Sequence, residues 1–129
     1  MAGQIAILGS GAMGTACSIL LAGHGKQRVT LWCRNAEYAR EMAELRENRR
    51  LLPGVPIPDS VEITDEIERA VDGAELLVIA IPTSFLREAI ADIAHALTAD
   101  RPVVSVIKGL ENETFLRPSE IIAELLGSR

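Results

Sequence analysis

Three glycines that follow a short apolar run constrain the fold of this chain more than any other feature. The apolar run is residues 5–8, and Gly9, Gly11 and Gly14 come after it in the spacing Gly-x-Gly-x-x-Gly. A strand that turns tightly into a helix presents free backbone N–H groups at the helix start, where a diphosphate can bind. The spacing alone arises often by chance, but its place between a predicted strand and a predicted helix favours a dinucleotide-binding turn. A tight connection without a ligand is the alternative.

Each glycine has a separate predicted role in such a turn. Gly9 makes the tight turn, Gly11 lets the backbone approach the diphosphate, and Gly14 lets the helix pack closely on the strand. The residues of this turn predicted to contact the cofactor are Gly9, Ser10, Gly11, Ala12, Met13 and Gly14.

Strand-like and helix-like patterns alternate along the whole chain. The apolar runs that predict strands lie at residues 5–8, 29–33, 61–63, 75–81 and 103–107. Segments between them carry apolar residues at helical spacing. This alternation indicates an α/β fold of three layers, in which helices cover both faces of a mainly parallel, doubly wound, Rossmann-like sheet. We expect residues 1–129 to form one dinucleotide-binding domain.

Some helix faces and one loop can be predicted in more detail. The apolar face of the first helix is expected to comprise Ala12, Ala16, Ile19 and Leu20. The helix over residues 37–47 is expected to bury Tyr38, Met42 and Leu45. Residues 48–60 contain three prolines and a glycine, which predict an irregular loop.

Composition and charge exclude several classes of protein. A net charge of -5 and a pI near 5.0 provide no positive field to attract nucleic acid or an anionic membrane. No apolar run is long enough to cross a bilayer, and the chain starts without the basic leader of a signal peptide. We therefore expect a cytoplasmic protein. Cys17 and Cys33 lack the spacing of a metal site, so we expect two reduced thiols and no bound metal.

The residue after the second predicted strand bears on cofactor choice. Sites that prefer NAD usually place Asp or Glu there to hold the ribose 2′-hydroxyl, whereas this chain has Arg34. A guanidinium suits a 2′-phosphate, so NADP(H) is the favoured cofactor and NAD(H) a possible one. An exposed loop arginine without a role in binding is the alternative.

Four segments, in order, give the chain its resemblance to a known family. They read VTLWCR, ENRRLLPGVPIP, IPTSFLR and VVSVIKGLENET. With them, essentially all 129 residues resemble the amino-terminal domain of the bacterial NAD(P)-dependent glycerol-3-phosphate dehydrogenases. The most specific motifs are the Asn-x-x-x-Leu-Pro loop that begins at Asn48 and the Lys-Gly-Leu-Glu sequence that begins at Lys108.

The resemblance implies an activity and two further site residues. The full enzyme of that family interconverts sn-glycerol 3-phosphate and dihydroxyacetone phosphate by hydride transfer, for phospholipid synthesis, and is expected to be a homodimer. Lys108 corresponds to a family lysine near the nicotinamide and the substrate, so we expect it to contact both. Phe85 falls where the family places an aromatic or apolar residue beside the cofactor, although a core position is the alternative. Arg87 recurs in the family, and no role is assigned to it.

The chain departs from the family pattern in two respects. Ala12 and Met13 stand where the bacterial enzymes commonly have serine and an aromatic residue, so backbone amides must carry most of the diphosphate binding. The helical carboxy-terminal domain of the family, which carries the catalytic lysine and most substrate contacts, is expected to be absent from residues 1–129. We therefore predict no catalytic general acid in this chain and little or no turnover by it alone.

Two other functions remain open from the sequence. The first is the cofactor domain of another two-domain reductase, of the 6-phosphogluconate or ketopantoate type. These share the glycine turn, but are not expected to combine the Leu-Pro loop with Lys-Gly-Leu-Glu. The second is a module that senses a dinucleotide without chemistry.

Overall fold

Five parallel strands, joined through helices, organise the chain. A computed structural model describes residues 3–97 and 100–127. The strands are β1 (Gly3–Leu8), β2 (Gln27–Trp32), β3 (Glu47–Asn48), β4 (Leu52–Pro56), β5 (Glu62–Thr64), β6 (Leu76–Ile79) and β7 (Val103–Ser105). The helices are α1 (Ala12–Gly23), α2 (Ala36–Leu45), α3 (Ile67–Val71), α4 (Thr83–Ile93) and α5 (Pro118–Leu126), and a 3₁₀ turn covers Ala94–Ala96.

The main sheet has the strand order β5-β2-β1-β6-β7, and all four neighbouring pairs are parallel. The strand order reverses at β1, from which the chain first winds outward to β5 and then returns to β6 on the other side. In sheets of this topology, ligands bind beyond the carboxyl ends of the strands near the reversal. The predicted doubly wound α/β fold is confirmed.

The sheet separates two apolar layers because side chains alternate along each strand. Ala6 and Leu8 of β1 face a cluster formed with α3, α4 and α5. Ile5 and Ile7 face the opposite cluster, to which α1 contributes. β1 is thus buried on both faces, as its continuous apolar run predicts.

The predicted irregular loop over residues 48–60 is wrong in part, because β3 and β4 pair there as an antiparallel ribbon. Two-stranded ribbons have free edges, where proline costs no ladder hydrogen bond. The side chain of Arg46 secures the segment beyond the ribbon: its guanidinium donates to the carbonyl of Val61 at 2.7 Å and to that of Pro58.

The expected apolar face of α1 is wrong at Ala12 and Leu20, which are exposed, Leu20 to 68%. The residues of α1 that the structure buries are Gly14, Thr15 and Ser18. Small and hydroxylated residues let α1 approach the sheet closely, and the Ser18 hydroxyl is satisfied by donating to the Thr15 carbonyl at 2.7 Å. Leu45 of α2 is likewise exposed, whereas Tyr38 and Met42 are buried as predicted.

Within the described residues, no helix is long and apolar enough to cross a membrane.

Candidate functional site

The turn between β1 and α1 requires glycine at two of its three glycine positions. Gly9 has a φ of +121°, and a Cβ there would lie 2.7 Å from the Ala80 carbonyl oxygen. A Cβ on Gly14 would lie 1.9 Å from the carbonyl oxygen of Gly9. Both positions therefore bring backbone segments closer together than any side chain would allow.

Gly11 differs from the other two glycines because it faces open space. Its φ is -69°, and no atom lies within 4 Å of the place where its Cβ would stand. Neither the backbone conformation nor the surrounding protein therefore requires glycine at this position. The absence of a side chain leaves room for a ligand, which fits the predicted approach of a diphosphate.

The start of α1 is suited to an anion. Gly11 is its N-cap, no side chain caps the helix there, and its first turn contains no acidic residue. The first N–H groups of a helix have no partner within the helix, and its N-terminal end carries partial positive charge. A diphosphate placed there would meet unopposed donors.

A cleft of about 1020 Å³ opens at this helix start. It lies beyond the carboxyl ends of β6 and β7, and its walls are residues 11–13, 80–84 and 105–113. Gly11, Ala12, Met13 and Lys108 thus line one cleft, although Lys108 is distant from the others in sequence. Gly9, Ser10 and Gly14 shape the turn without being part of the wall.

Lys108 is held in the cleft wall through its backbone. The Thr83 hydroxyl donates to the Lys108 carbonyl at 2.9 Å, which ties the start of α4 to the segment after β7. Gly109 follows with a φ of +96°, a conformation that favours glycine. The side chain of Lys108 is exposed, and its ammonium has no hydrogen bond or ion pair among residues 3–97 and 100–127. The ammonium is therefore available to an anionic or carbonyl-bearing ligand.

An ion-pair cluster fixes the segment that carries Lys108. Arg87 on α4 donates from Nε and Nη2 to the two carboxylate oxygens of Glu111, at 2.9 and 3.0 Å. Its Nη2 also donates to Glu124 on α5 at 2.7 Å, and the Thr114 hydroxyl donates to Glu111 at 2.6 Å. The hydrogen bond from Arg87, with that from Thr114, lowers the pKa of Glu111 from 4.5 to about 2. The two acidic partners raise the pKa of Arg87, so Arg87 and Glu111 stay ionised at neutral pH.

Asn48 braces the glycine turn from the ribbon side. This fully buried residue donates from Nδ2 to the Ser10 carbonyl at 2.9 Å and to the Thr15 hydroxyl at 2.8 Å. Its Oδ1 accepts from the Leu51 N–H at 3.2 Å. The asparagine of the Asn-x-x-x-Leu-Pro motif therefore has a structural role, because its side-chain amide joins the ribbon to the turn.

Arg34 follows β2 as predicted, but it does not line the cleft. Its guanidinium donates to Asp92 and lies 3.9 Å from a carboxylate oxygen of Glu88, both on α4. The adjacent Asn35 is the N-cap of α2, where its Oδ1 accepts from the Tyr38 N–H at 2.8 Å. The amide of Asn35 is therefore used within the protein.

Phe85 is 59% exposed on the first turn of α4, so the alternative of a core phenylalanine is wrong. It is not part of the cleft wall, although its neighbours Thr83 and Ser84 are. Phe85 thus follows the cleft-lining residues directly in sequence, and its exposed ring is free to meet a ligand or another part of the protein.

The two cysteines are unpaired thiols. Cys33 is buried, and burial raises the pKa of the Cys17 thiol. Across the described part of the chain, no three His, Cys, Asp or Glu side chains are grouped so that they could hold a metal ion.

Comparisons with known proteins are consistent with this geometry. Residues 4–129 match the family model described as "NAD-dependent glycerol-3-phosphate dehydrogenase N-terminus". The chain belongs to this family. The match also decides between the reductase families that the sequence left open.

The individual proteins that this chain is similar to have names that match this family. "Glycerol-3-phosphate dehydrogenase [NAD(P)+]" of Chlorobium phaeobacteroides is 46% identical over 95% of this chain, and that of Geobacillus kaustophilus is 40% identical over 96%. The crystal structure of glycerol-3-phosphate dehydrogenase from Coxiella burnetii has a TM-score of 0.88 and 29% identity, and it covers 98% of this chain. The chain spans 36% of the length of the first two proteins and 38% of the third.

The residues that support the cleft have no role that the sequence predicts. In the sequence, Asn48 and Arg87 stand out only as parts of recurring motifs, and Glu111 only as the end of Lys-Gly-Leu-Glu. A polar residue embedded in a specific motif was the available signal. Its partners could not be read from the sequence, because Asn48 and Ser10 are 38 positions apart, and Arg87 and Glu111 are 24 apart.

Proposed function

We propose that this chain is the NAD(P)H-binding part of a glycerol-3-phosphate dehydrogenase that interconverts sn-glycerol 3-phosphate and dihydroxyacetone phosphate. The observation that carries the proposal is the cleft at the start of α1, where Gly11 leaves open space before uncapped helix N–H groups. The names of the curated relatives, which read "Glycerol-3-phosphate dehydrogenase [NAD(P)+]", support the choice of reaction.

In this proposal the backbone of the glycine turn binds the cofactor diphosphate. Residues 9–14 carry the predicted contacts, and the N–H groups at the start of α1 donate to phosphate oxygens. The side-chain amide of Asn48 donates a hydrogen bond to the Ser10 carbonyl, and this bond holds the turn in shape. Ala12 and Met13 contribute through backbone and apolar contact, since neither side chain has a donor.

Lys108 acts at the reacting end of the cleft. When bound, the nicotinamide would supply hydride transfer to or from a carbon atom of the substrate. The free ammonium of Lys108 would bind a substrate phosphate or stabilise negative charge on the substrate oxygen. The cluster of Arg87 and Glu111, with the bond from Thr83, keeps Lys108 at the cleft wall. The exposed ring of Phe85 would shield this region from water.

Arg34 supports a preference for NADP(H), with NAD(H) as the second cofactor. Its guanidinium provides the donors that a 2′-phosphate needs, at the end of the strand next to β1. Turnover requires a general acid and further substrate contacts, which we place in the part of the enzyme beyond this chain. The homodimeric state and cytoplasmic location of the whole enzyme remain predictions.

The test is a titration of this chain with NADPH and NADH, followed by the fluorescence of the reduced nicotinamide or by calorimetry. Saturable one-to-one binding is expected, with the tighter constant for NADPH. Absence of binding for both would refute the proposal.

The reaction itself is tested in the full-length enzyme, by reduction of dihydroxyacetone phosphate. Lys108→Ala should lower turnover strongly while the enzyme still binds the adenosine half of the cofactor. Near-normal kinetics would exclude Lys108 from the reaction. Arg28→Ala, at an exposed arginine near the amino end of β2, is the matched control and should leave turnover unchanged.

A further inference from the structure

One nitrogen of the Arg34 guanidinium already contacts acidic side chains of α4. Arg34 Nη2 donates to Asp92 Oδ2, and the same nitrogen lies 3.9 Å from Glu88 Oε1. Asp92 and Glu88 are one helical turn apart, so both face the same side of α4. Two carboxylates thus compete for the group that we assign to the 2′-phosphate.

The residues on either side of Arg34 are hydrogen-bonded to other elements, whereas the side chain of Arg34 is partly exposed. The Cys33 N–H donates to the Thr64 carbonyl at 2.9 Å, and Asn35 caps α2. The side chain of Arg34 is 48% exposed, and that of Asp92 is 56% exposed. An ion pair between such exposed groups is weak, because water screens both charges. The guanidinium can therefore exchange Asp92 for another anion by side-chain rotation alone.

We propose that Asp92, assisted by Glu88, is a specificity-determining residue that holds Arg34 and thereby limits the preference for NADPH over NADH. The inference rests on the proposed function, since it assumes that the chain binds these cofactors. A 2′-phosphate must compete with Asp92 for the charge and the Nη2 donors of Arg34, whereas the neutral 2′-hydroxyl of NADH makes no such demand. The apparent affinity for NADPH is reduced by the fraction of Arg34 that is held by α4.

The experiment measures the dissociation constants of NADPH and NADH for the wild-type chain and for Asp92→Asn. Asparagine keeps the size of the side chain but removes its charge. The NADPH affinity is expected to rise about twofold to fivefold, as the loss of one exposed ion pair allows. The NADH affinity should change by less than this. Glu88→Gln should act in the same direction with a smaller effect, because its oxygen is farther from Arg34.

Two controls separate the local effect from the change in net charge. Asp72→Asn removes one negative charge at an exposed site after α3, where the carboxylate has no ion pair within the described ranges. This control should leave the ratio of the two constants unchanged. Asp92→Asn in an Arg34→Ala background should also leave the ratio unchanged, since the proposed effect passes through Arg34.

The outcomes distinguish this inference from the proposed function. A gain for NADPH that disappears in the Arg34→Ala background supports the role of Asp92. An unchanged ratio in Asp92→Asn, from a wild-type chain that binds both cofactors, overturns that role and leaves the proposed function intact. Absence of binding to the wild-type chain overturns both. Circular dichroism and thermal unfolding of each variant exclude loss of the fold as the cause.

Discussion

Gly11 and Gly14 allow a matched pair of substitutions that separates cofactor binding from folding. Gly11→Ala places a methyl group in open space, with no protein atom within 4 Å. Gly14→Ala places the same methyl group 1.9 Å from the carbonyl oxygen of Gly9. The two residues are three positions apart, and the chemical change is identical. Their consequences should therefore differ only through their surroundings.

The surroundings of each glycine determine how much stability its substitution should cost. The φ of -69° at Gly11 suits alanine, and the small gain from reduced chain entropy is offset by alanine being a poorer N-cap, so stability should change by less than ~1 kcal/mol. At Gly14 the methyl carbon must move from 1.9 Å to an ordinary contact beyond 3.4 Å, and its two nearest neighbours are backbone atoms of Gly9. Forced overpacking of this kind costs ~1–3 kcal/mol or more. For a chain of this size, each kcal/mol of lost stability lowers Tm by roughly 3–5 °C.

Gly11→Ala should affect cofactor binding strongly although it affects stability little. A methyl group at the point of diphosphate approach is expected to weaken NADPH binding about tenfold, which corresponds to ~1.4 kcal/mol. Urea unfolding and thermal scans measure stability, and nicotinamide fluorescence measures binding. A Gly11→Ala chain that binds NADPH as tightly as the wild type would refute our placement of the diphosphate. An unchanged Tm in Gly14→Ala would refute the close approach of α1 to the turn.

Three further predictions concern the residues that support the site. Asn48→Ala removes the hydrogen bonds to the part-buried Ser10 carbonyl and the buried Thr15 hydroxyl, and it should lower the free energy of unfolding by ~1–3 kcal/mol in urea titrations, with weaker NADPH binding; full stability would show that the amide is dispensable. Because the folded pKa of Glu111 is depressed, its contribution to stability is present above pH 4.5 and lost as the pH falls toward 2. Glu111→Gln should therefore flatten the loss of Tm over that pH range, and a slope equal to that of the wild type would contradict the bond with Arg87. Asn35→Ala should cost ~1 kcal/mol as a lost N-cap, and no loss in urea unfolding would contradict the bond to Tyr38.

The alternation of strands and helices was predictable because each element has a local signature. A run that is apolar at every position, such as residues 5–8, suits only an element buried on both faces. The glycine spacing was equally local, since the conformation at Gly9 and the close approach at Gly14 are needed wherever a strand turns at once into a packed helix. The predicted layers and the site at the start of α1 followed from these patterns.

The errors have a common physical cause, which is that burial depends on what the rest of the chain places opposite a side chain. Leu20 follows the helical period of α1 but is exposed, whereas Thr15 is buried because Asn48 supplies a hydrogen bond. The prolines of residues 48–60 suggested an irregular loop, yet a ribbon forms because its edges need no further partners. Hydrophobic periodicity contains no information about such distant neighbours.

The amino-acid sequence by itself determined the order of the elements, the glycine turn and the chemical groups available to a cofactor, because these depend on residues close together in the chain. The tertiary structure alone decided which of those groups are free. It leaves Lys108 open to the cleft and Gly11 facing open space, but it joins Arg34 to Asp92, which is 58 positions away. Such contacts arise only when the sheet brings separate crossovers together, since a guanidinium pairs with whichever carboxylate the fold places within its reach.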